Sequence, residues 1–176
     1  LEEGALEQVS CRAIGSQRRV GVAALGRGEA ETARTGVGEQ GYDPVIFYIQ
    51  IGMEGEPGFM DCPSEEDIEI TTYIAKKYGC RFEIANLHDE YWKRVVSYTL
   101  DSVKKGLTPN PDVMCNRFIK FGSFDDKYGH EFDRIATGHY ARRFDENGIA
   151  YLGTAKDHKK DQTYFLGRIT YSQLSK

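Results

Sequence analysis

The chain has 176 residues, 40% of them hydrophobic and 28% charged, with a formal net charge of −4. That composition suits one soluble domain, or one domain and part of another, with enough apolar material for a core. The negative balance excludes bulk attraction to nucleic acid and leaves that role to a local basic patch; no run of about 18 apolar residues is present to span a membrane.

The first forty residues differ from the rest. Gly15 to Gly41 is rich in Gly, Arg, Ala and Glu; within it only Val20 to Leu25 reads as a buried strand, and Glu29 to Val37 as a weak helix. No apolar segment of a secretory signal opens the chain, so a reducing cytoplasm is the expected setting. Gly41-Tyr42-Asp43-Pro44 reads as a turn. Val45 to Ile51 is a nearly unbroken apolar run, the pattern of a strand covered on both faces. A loop follows from Gly52.

Ser64 to Tyr78 has the clearest helical signals. Ser64 is placed to cap it, Glu65, Glu66 and Asp67 crowd its positive end, and Lys76 and Lys77 its negative end. Ile70, Ile74 and Tyr78 form its apolar row, and Gly79 stops it. Arg81 to Ala85 alternates as a strand, with Phe82 and Ile84 on one side. Asp89 to Lys105 predicts a second helix, with Trp92, Val96 and Leu100 in one row and Tyr91, Val95 and Val103 beside it. Thr108-Pro109-Asn110-Pro111 is a stiff extended loop. A third helix is expected from Pro111 to Lys127, with Phe118, Phe121 and Phe124 facing inward. Arg134 to Thr137 is a short strand, and Arg142 to Phe144 with Ala150 to Thr154 form a hairpin around Glu146-Asn147-Gly148. Strands alternating with helices predict an α/β domain with a parallel sheet, its ligand beyond the carboxyl ends of the strands.

The four cysteines are Cys11, Cys62, Cys80 and Cys115. None forms a C-x-x-C pair or has histidine at metal-ligand spacing, which argues against zinc. Cys115 is the main candidate for chemistry. Asn110 fits a helix cap and Pro111 the first helical position. Cys115 then lies near a helix N-terminus, where partial positive charge favours the reactive thiolate. Asp112, three residues earlier, shares its face. An ionised Asp112 would oppose the thiolate, yet it would also accept the thiol proton. His88 and Trp92 read as structural, and His139 as a hydrogen-bonding structural residue.

Five motifs occur in order: Asp61-Cys62-Pro63-Ser64-Glu65-Glu66-Asp67; Glu90-Tyr91-Trp92; Thr108-Pro109-Asn110-Pro111-Asp112-Val113-Met114-Cys115-Asn116 with Ile119-Lys120-Phe121-Gly122; Ala136-Thr137-Gly138-His139-Tyr140-Ala141; and Lys160-Asp161-Gln162-Thr163-Tyr164-Phe165-Leu166. From about Gln40 onward the chain thereby resembles the tRNA-specific 2-thiouridylases. The resemblance implies a Rossmann-like fold of the adenine nucleotide α-hydrolase, or PP-loop ATP pyrophosphatase, type. It implies ATP with Mg2+ as cofactors, and tRNA and a persulfide-carrying sulfur donor as partners. Such enzymes adenylate the C2 oxygen of the wobble uridine and then deliver sulfur from a cysteine persulfide. Cys115 matches the cysteine that helps release that sulfur, with Asp112 beside it. Asn110, Pro111 and Asp112 match the contacts to the target base, Gly138 and Ile49 contacts to the nucleotide, and Lys160, Asp161 and Gln162 contacts to tRNA.

On this resemblance, residues 1–39 are an atypical segment, 40–145 the Rossmann-like domain with a first strand starting near residue 20, and 146–176 the start of a tRNA-contacting region. The family's Ser-Gly-Gly-x-Asp-Ser phosphate loop has no counterpart: its position reads Leu25-Gly26-Arg27-Gly28-Glu29-Ala30-Glu31, where two glutamates would repel phosphate. Residues before about Gln40 are therefore expected to be an altered start of an otherwise ordinary member. The family's persulfide-bearing cysteine and C-terminal β-barrel fall beyond Lys176, so the 176 residues alone are expected to be incomplete for sulfur delivery. A non-catalytic tRNA-binding fragment and another PP-loop-type enzyme are the competing readings.

Overall fold

The computed structural model of the protein describes residues 19–24, 42–52 and 64–176. The helix expected at Glu29 to Val37, the segment Leu25 to Glu31 and the motif Asp61-Cys62-Pro63 lie outside the described residues, as does the side chain of Ser64.

Two apolar runs build the centre of the sheet. β1 is Arg19–Ala24 and β2 is Asp43–Gln50. They pair in parallel, from Arg19 with Asp43 to Ala24 with Tyr48. β2 starts earlier than its apolar run: Asp43 and Pro44, read above as part of a turn, already pair with Arg19 and Val20. Proline is tolerated there because the position is at the start of the strand. Residues 44–49 are buried without interruption, as expected for a parallel strand covered on both faces. β3, Arg81–Asn86, lies outside β2, and β4, Arg134–Ala136, lies outside β1. All pairings are parallel, in the order β3-β2-β1-β4. With helices on both faces, this is a Rossmann-like α/β sheet.

Helix α1, Ser64–Tyr78, covers one face with the charge layout read from the sequence. Ile74 and Ala75 are buried against Val22 and Ile46, with Ile70, Tyr78 and Phe82 packed around them. Ile84 departs from expectation: it is 47% exposed on the edge strand.

Two longer helical runs cover the other face. α2 passes without a break from His88–Tyr91 through a π-helical Trp92–Val96 to Ser97–Lys104. α3 does the same from Pro111–Cys115 through a π-helical Asn116–Ser123 to Phe124–Tyr128. Together they bury Val95, Met114, Cys115, Ile119 and Phe124 against Ala23, Val45, Phe47, Ile49 and Ala85. The expected row Trp92, Val96, Leu100 is not the buried one. Leu100 is 54% and Val103 58% exposed, while Val95 and Ser102 are buried. The wide π turn shifts the face that meets the sheet relative to an α-helical projection.

The hairpin β5, Ala141–Glu146, and β6, Ile149–Thr154, forms a separate two-stranded sheet. Its turn residues Asn147 and Gly148 have φ of 52° and 79°, the left-handed values that a tight two-residue hairpin turn requires. A short helix, α4, Tyr171–Ser175, ends the chain on a capping box between Thr170 and Gln173.

Phe47 is the centre of the main core. Its ring meets Phe124 at 5.0 Å and Phe132 at 5.6 Å, both edge to face, and Tyr128 at 5.2 Å. Replacing Phe47 by Ala is expected to destabilise the domain by about 3–5 kcal/mol. Urea unfolding checks this, and a loss below about 1 kcal/mol would show that the aromatic cluster does not hold the helices to the sheet.

Candidate functional site

The first turn of α3 is fixed by its loop. Asn110 is extended, and its Oδ1 accepts a hydrogen bond from the amide of Val113 at 3.1 Å. Pro111 sits in the first turn, where its missing N–H leaves no donor unpaired. This cap places Asp112 at the exposed helix start and buries Met114, Cys115 and Asn116 one turn later.

The π-helical stretch that follows has its own supports. Gly122 is needed because a Cβ there would stand 2.9 Å from the carbonyl oxygen of Arg117. The Nε2 of Gln173, on α4, donates to that same oxygen at 3.0 Å and to the carbonyl of Phe121 at 2.7 Å. Ser123 Oγ donates to the carbonyl of Phe118 at 3.1 Å. Lys176 reaches back to Asp125 and to the carbonyl of Gly129, at 2.5 and 2.9 Å. On the opposite side Lys127 meets Glu90 of α2 at 2.6 Å. The hydrogen bond from Lys127, with its charge, holds the Glu90 carboxyl below its ordinary range.

Between α3, the turn after β4 and the segment around residue 163 lies a cleft of about 220 Å3. α3 supplies Asp112, Cys115, Asn116 and Lys120; His139 comes from the turn after β4, and Gln162 and Phe165 from the third side. Lys120 is only 4% exposed. His139 is oriented by a 2.8 Å hydrogen bond between its Nδ1 and Thr137 Oγ1, and lies stacked near Phe121. Gln162 is tied to Tyr140 in both directions, its Oε1 accepting from that amide at 3.0 Å and its own amide donating to that carbonyl at 2.8 Å. Behind α3, Tyr91 has its phenol pushed above the ordinary value, first by burial and then by charge on Cys115 and Asp112. Cys115 and Cys80 are not disulfide-bonded.

The residues singled out from sequence are distributed unevenly. Asp112, Cys115 and Gln162 line the cleft. Asn110 and Pro111 set its helix. Gly138 is buried in the turn beside it. Ile49 has its side chain in the core, so only its backbone is available to a ligand. Lys160 is exposed, with Nζ 5.7 Å from the centre of the Tyr140 ring. Asp161 organises its own loop, accepting from Ala155 N at 2.7 Å and Thr163 Oγ1 at 2.6 Å. Asn116, Lys120 and Phe165 lie within the quoted motifs but were not read as site residues. The available signal was Lys120 set between the apolar Ile119 and Phe121.

The bonds from Thr163 and then Ala155 hold the Asp161 carboxyl below the ordinary aspartate value. A lowered folded-state pKa adds stability above the ordinary value, about pH 3.9, and that stability is lost as pH falls through the folded pKa. Thr163→Val is expected to move the Asp161 titration upward in a side-chain carboxyl NMR experiment. An unmoved titration would contradict the assigned cause.

A family model described as a tRNA methyl transferase HUP domain matches residues 18–176. Over 138 residues, 78% of this chain, the sequence is 67% identical to the tRNA-specific 2-thiouridylase MnmA of Parabacteroides distasonis and 63% identical to that of Porphyromonas gingivalis. Over a stretch of the same length it is 58% identical to MnmA 1 of Bacteroides thetaiotaomicron. The chain spans 38–39% of the length of these relatives. No helix among the described residues is long and apolar enough to cross a membrane. The matched span takes in β1 and every described element of the cleft, and the chain belongs to the family of the tRNA methyl transferase HUP domain, that of the tRNA-specific 2-thiouridylases.

Proposed function

We propose that this chain is part of an enzyme that uses ATP to replace the C2 oxygen of a tRNA wobble uridine with sulfur. The observation that carries the reading is Cys115 and Asp112 side by side in a small cleft beyond the carboxyl end of β4. At about 220 Å3 the cleft is smaller than the roughly 300–1,000 Å3 of sites for drug-sized ligands. It suits a single base turned out of its stack, and Phe165 offers a face for stacking. The names of the relatives point to thiolation, and the proposal follows them.

The C2 oxygen would bond to the α-phosphorus of ATP with loss of pyrophosphate, which makes that oxygen part of an AMP leaving group. A persulfide sulfur then bonds to C2, and AMP departs with the oxygen. The base is now joined through two sulfurs to the donor cysteine. Cys115 thiolate attacks the donor-side sulfur, the S–S bond breaks, and its electron pair stays on the sulfur bound to C2. The products are the 2-thio base and a disulfide between Cys115 and the donor, which two electrons from a cellular thiol reopen. Asp112 is assigned the Cys115 proton, and the donor cysteine is assigned outside these 176 residues. A reducing cytoplasm suits both the thiol and its regeneration.

Nucleotide binding is assigned to the carboxyl ends of β1 and β4, where the strand order reverses. The backbone of Gly138, in the turn after β4, and that of Ile49, near the carboxyl end of β2, are assigned to the nucleotide. Among the described residues no cluster of three or more His, Cys, Asp or Glu side chains converges on a cation position. Mg2+ is assigned to the ATP phosphates, which commonly supply its ligands in such sites. Lys160, Asp161 and Gln162 are assigned to tRNA: Lys160 as an exposed phosphate partner, Asp161 as the residue shaping the loop, Gln162 at the cleft wall. The alternative, a tRNA-binding fragment without ATP chemistry, is favoured by the two glutamates at Glu29 and Glu31 in place of a phosphate loop.

The test grafts the 138-residue matched stretch into the Parabacteroides distasonis relative. Cys115→Ser in that chimera is expected to lower 2-thiouridine formation by roughly 100-fold or more, measured by mass spectrometry of digested tRNA. ATP consumption should stay within a few-fold. Thiolation that survives the substitution would remove Cys115 from the mechanism.

A further inference from the structure

Asn116 carries an unmet acceptor at the cleft. The residue is 4% exposed, and its Nδ2 donates to the carbonyl of Phe165 at 3.3 Å. That bond fixes which end of the amide is the oxygen. Oδ1 is fully enclosed and has no hydrogen-bond partner. Buried side-chain acceptors are nearly always satisfied, because leaving one bare forfeits its hydration without return. Asn116 also lines the cleft, so a base that shifts the wall around Oδ1, by a side-chain adjustment of the kind common on binding, would bring the donor that the protein does not. Two other groups of the cleft are already committed: His139 to Thr137 and Gln162 Oε1 to Tyr140.

We infer that Asn116 Oδ1 accepts the N3–H of the bound uracil and is the residue that selects uracil over cytosine. The inference rests on the reading above that the cleft takes the target base. Uracil presents a donor at N3, flanked by the O2 and O4 acceptors. Cytosine presents an acceptor at N3, which would face Oδ1 lone pair to lone pair. A site built around a hydrogen bond rejects a ligand that lacks it, because the buried group is then left unpaired. The contact also orients the base.

The experiment measures binding of this chain to anticodon stem-loop RNAs that differ only at the target position: uridine, cytidine, 3-methyluridine or an abasic site. With the unaltered chain, uridine RNA is expected to bind about tenfold more tightly than the cytidine and 3-methyluridine RNAs, the size of one buried hydrogen bond. Asn116→Ala should bring the three within about twofold of one another. Asn116→Asp, which keeps an acceptor oxygen, should retain the preference for uridine. Equal binding of the three bases by the unaltered chain, all tighter than the abasic RNA, would overturn the role of Asn116 and leave the base cleft standing. Abasic RNA binding as well as uridine RNA, or no RNA binding at all, would overturn both. A preference that persists in Asn116→Ala, or that disappears in Asn116→Asp, would overturn the inference alone.

Discussion

Phe124 meets Phe47 edge to face at 5.0 Å, and through that contact α3 is seated on the sheet. The same helix carries Asp112, Cys115, Asn116 and Lys120 into the cleft. Met114, Cys115 and Ile119 belong to the apolar cluster that surrounds Phe47. The position of the cysteine is thus held by close packing, which tolerates little displacement, in addition to the capped first turn. The first turn carries Asp112, an exposed acid, and the core begins one turn later. A thiol at that boundary has a dry side toward the sheet and a cleft side toward a ligand.

The middle of α3 departs from ordinary helical hydrogen bonding, and the departure is supported at each point. Gly122 gives room to the Arg117 carbonyl. Gln173 adds donors to the Arg117 and Phe121 carbonyls, and Ser123 adds one to Phe118. Widened turns of this kind often occur at functional sites, where they re-aim side chains. Here the stretch holds three buried polar residues, Asn116, Lys120 and Ser123.

Much of the architecture was legible because its signals were local. The charge layout of α1, the apolar run of β2 and the Asn147-Gly148 turn each imply their structures by short-range chemistry. The buried face of α2 was legible only in part: Tyr91 and Val95 meet the core as expected, but a period of 3.6 residues does not hold across Trp92–Val96, and Leu100 and Val103 fall outside the contact. Asp43 and Pro44 were misread because turn-forming residues also occur at strand starts. At the site, Cys115 and Asp112 were singled out by the capped helix start together with the family resemblance, and both line the cleft. Asn116 and Lys120 were not, because their burial depends on partners far away in sequence. Resemblance brought Lys160 and Asp161 forward with Gln162, yet only Gln162 lines the cleft.

The bonds that complete the cleft join distant parts of the chain. Asn116 reaches Phe165 across 49 positions, and Gln173 reaches Phe121 and Arg117 across 52 and 56. Contacts of such separation reward the chain only after the intervening loop has been closed. The apolar contacts of the Cys115 end of α3 with the sheet involve no residue of 162–176, whereas Gln162 and Phe165 complete the cleft. Local opening of that C-terminal segment would dissolve the site while the sheet and its aromatic core stay folded. The competence of the cleft is therefore a separate equilibrium from the stability of the domain.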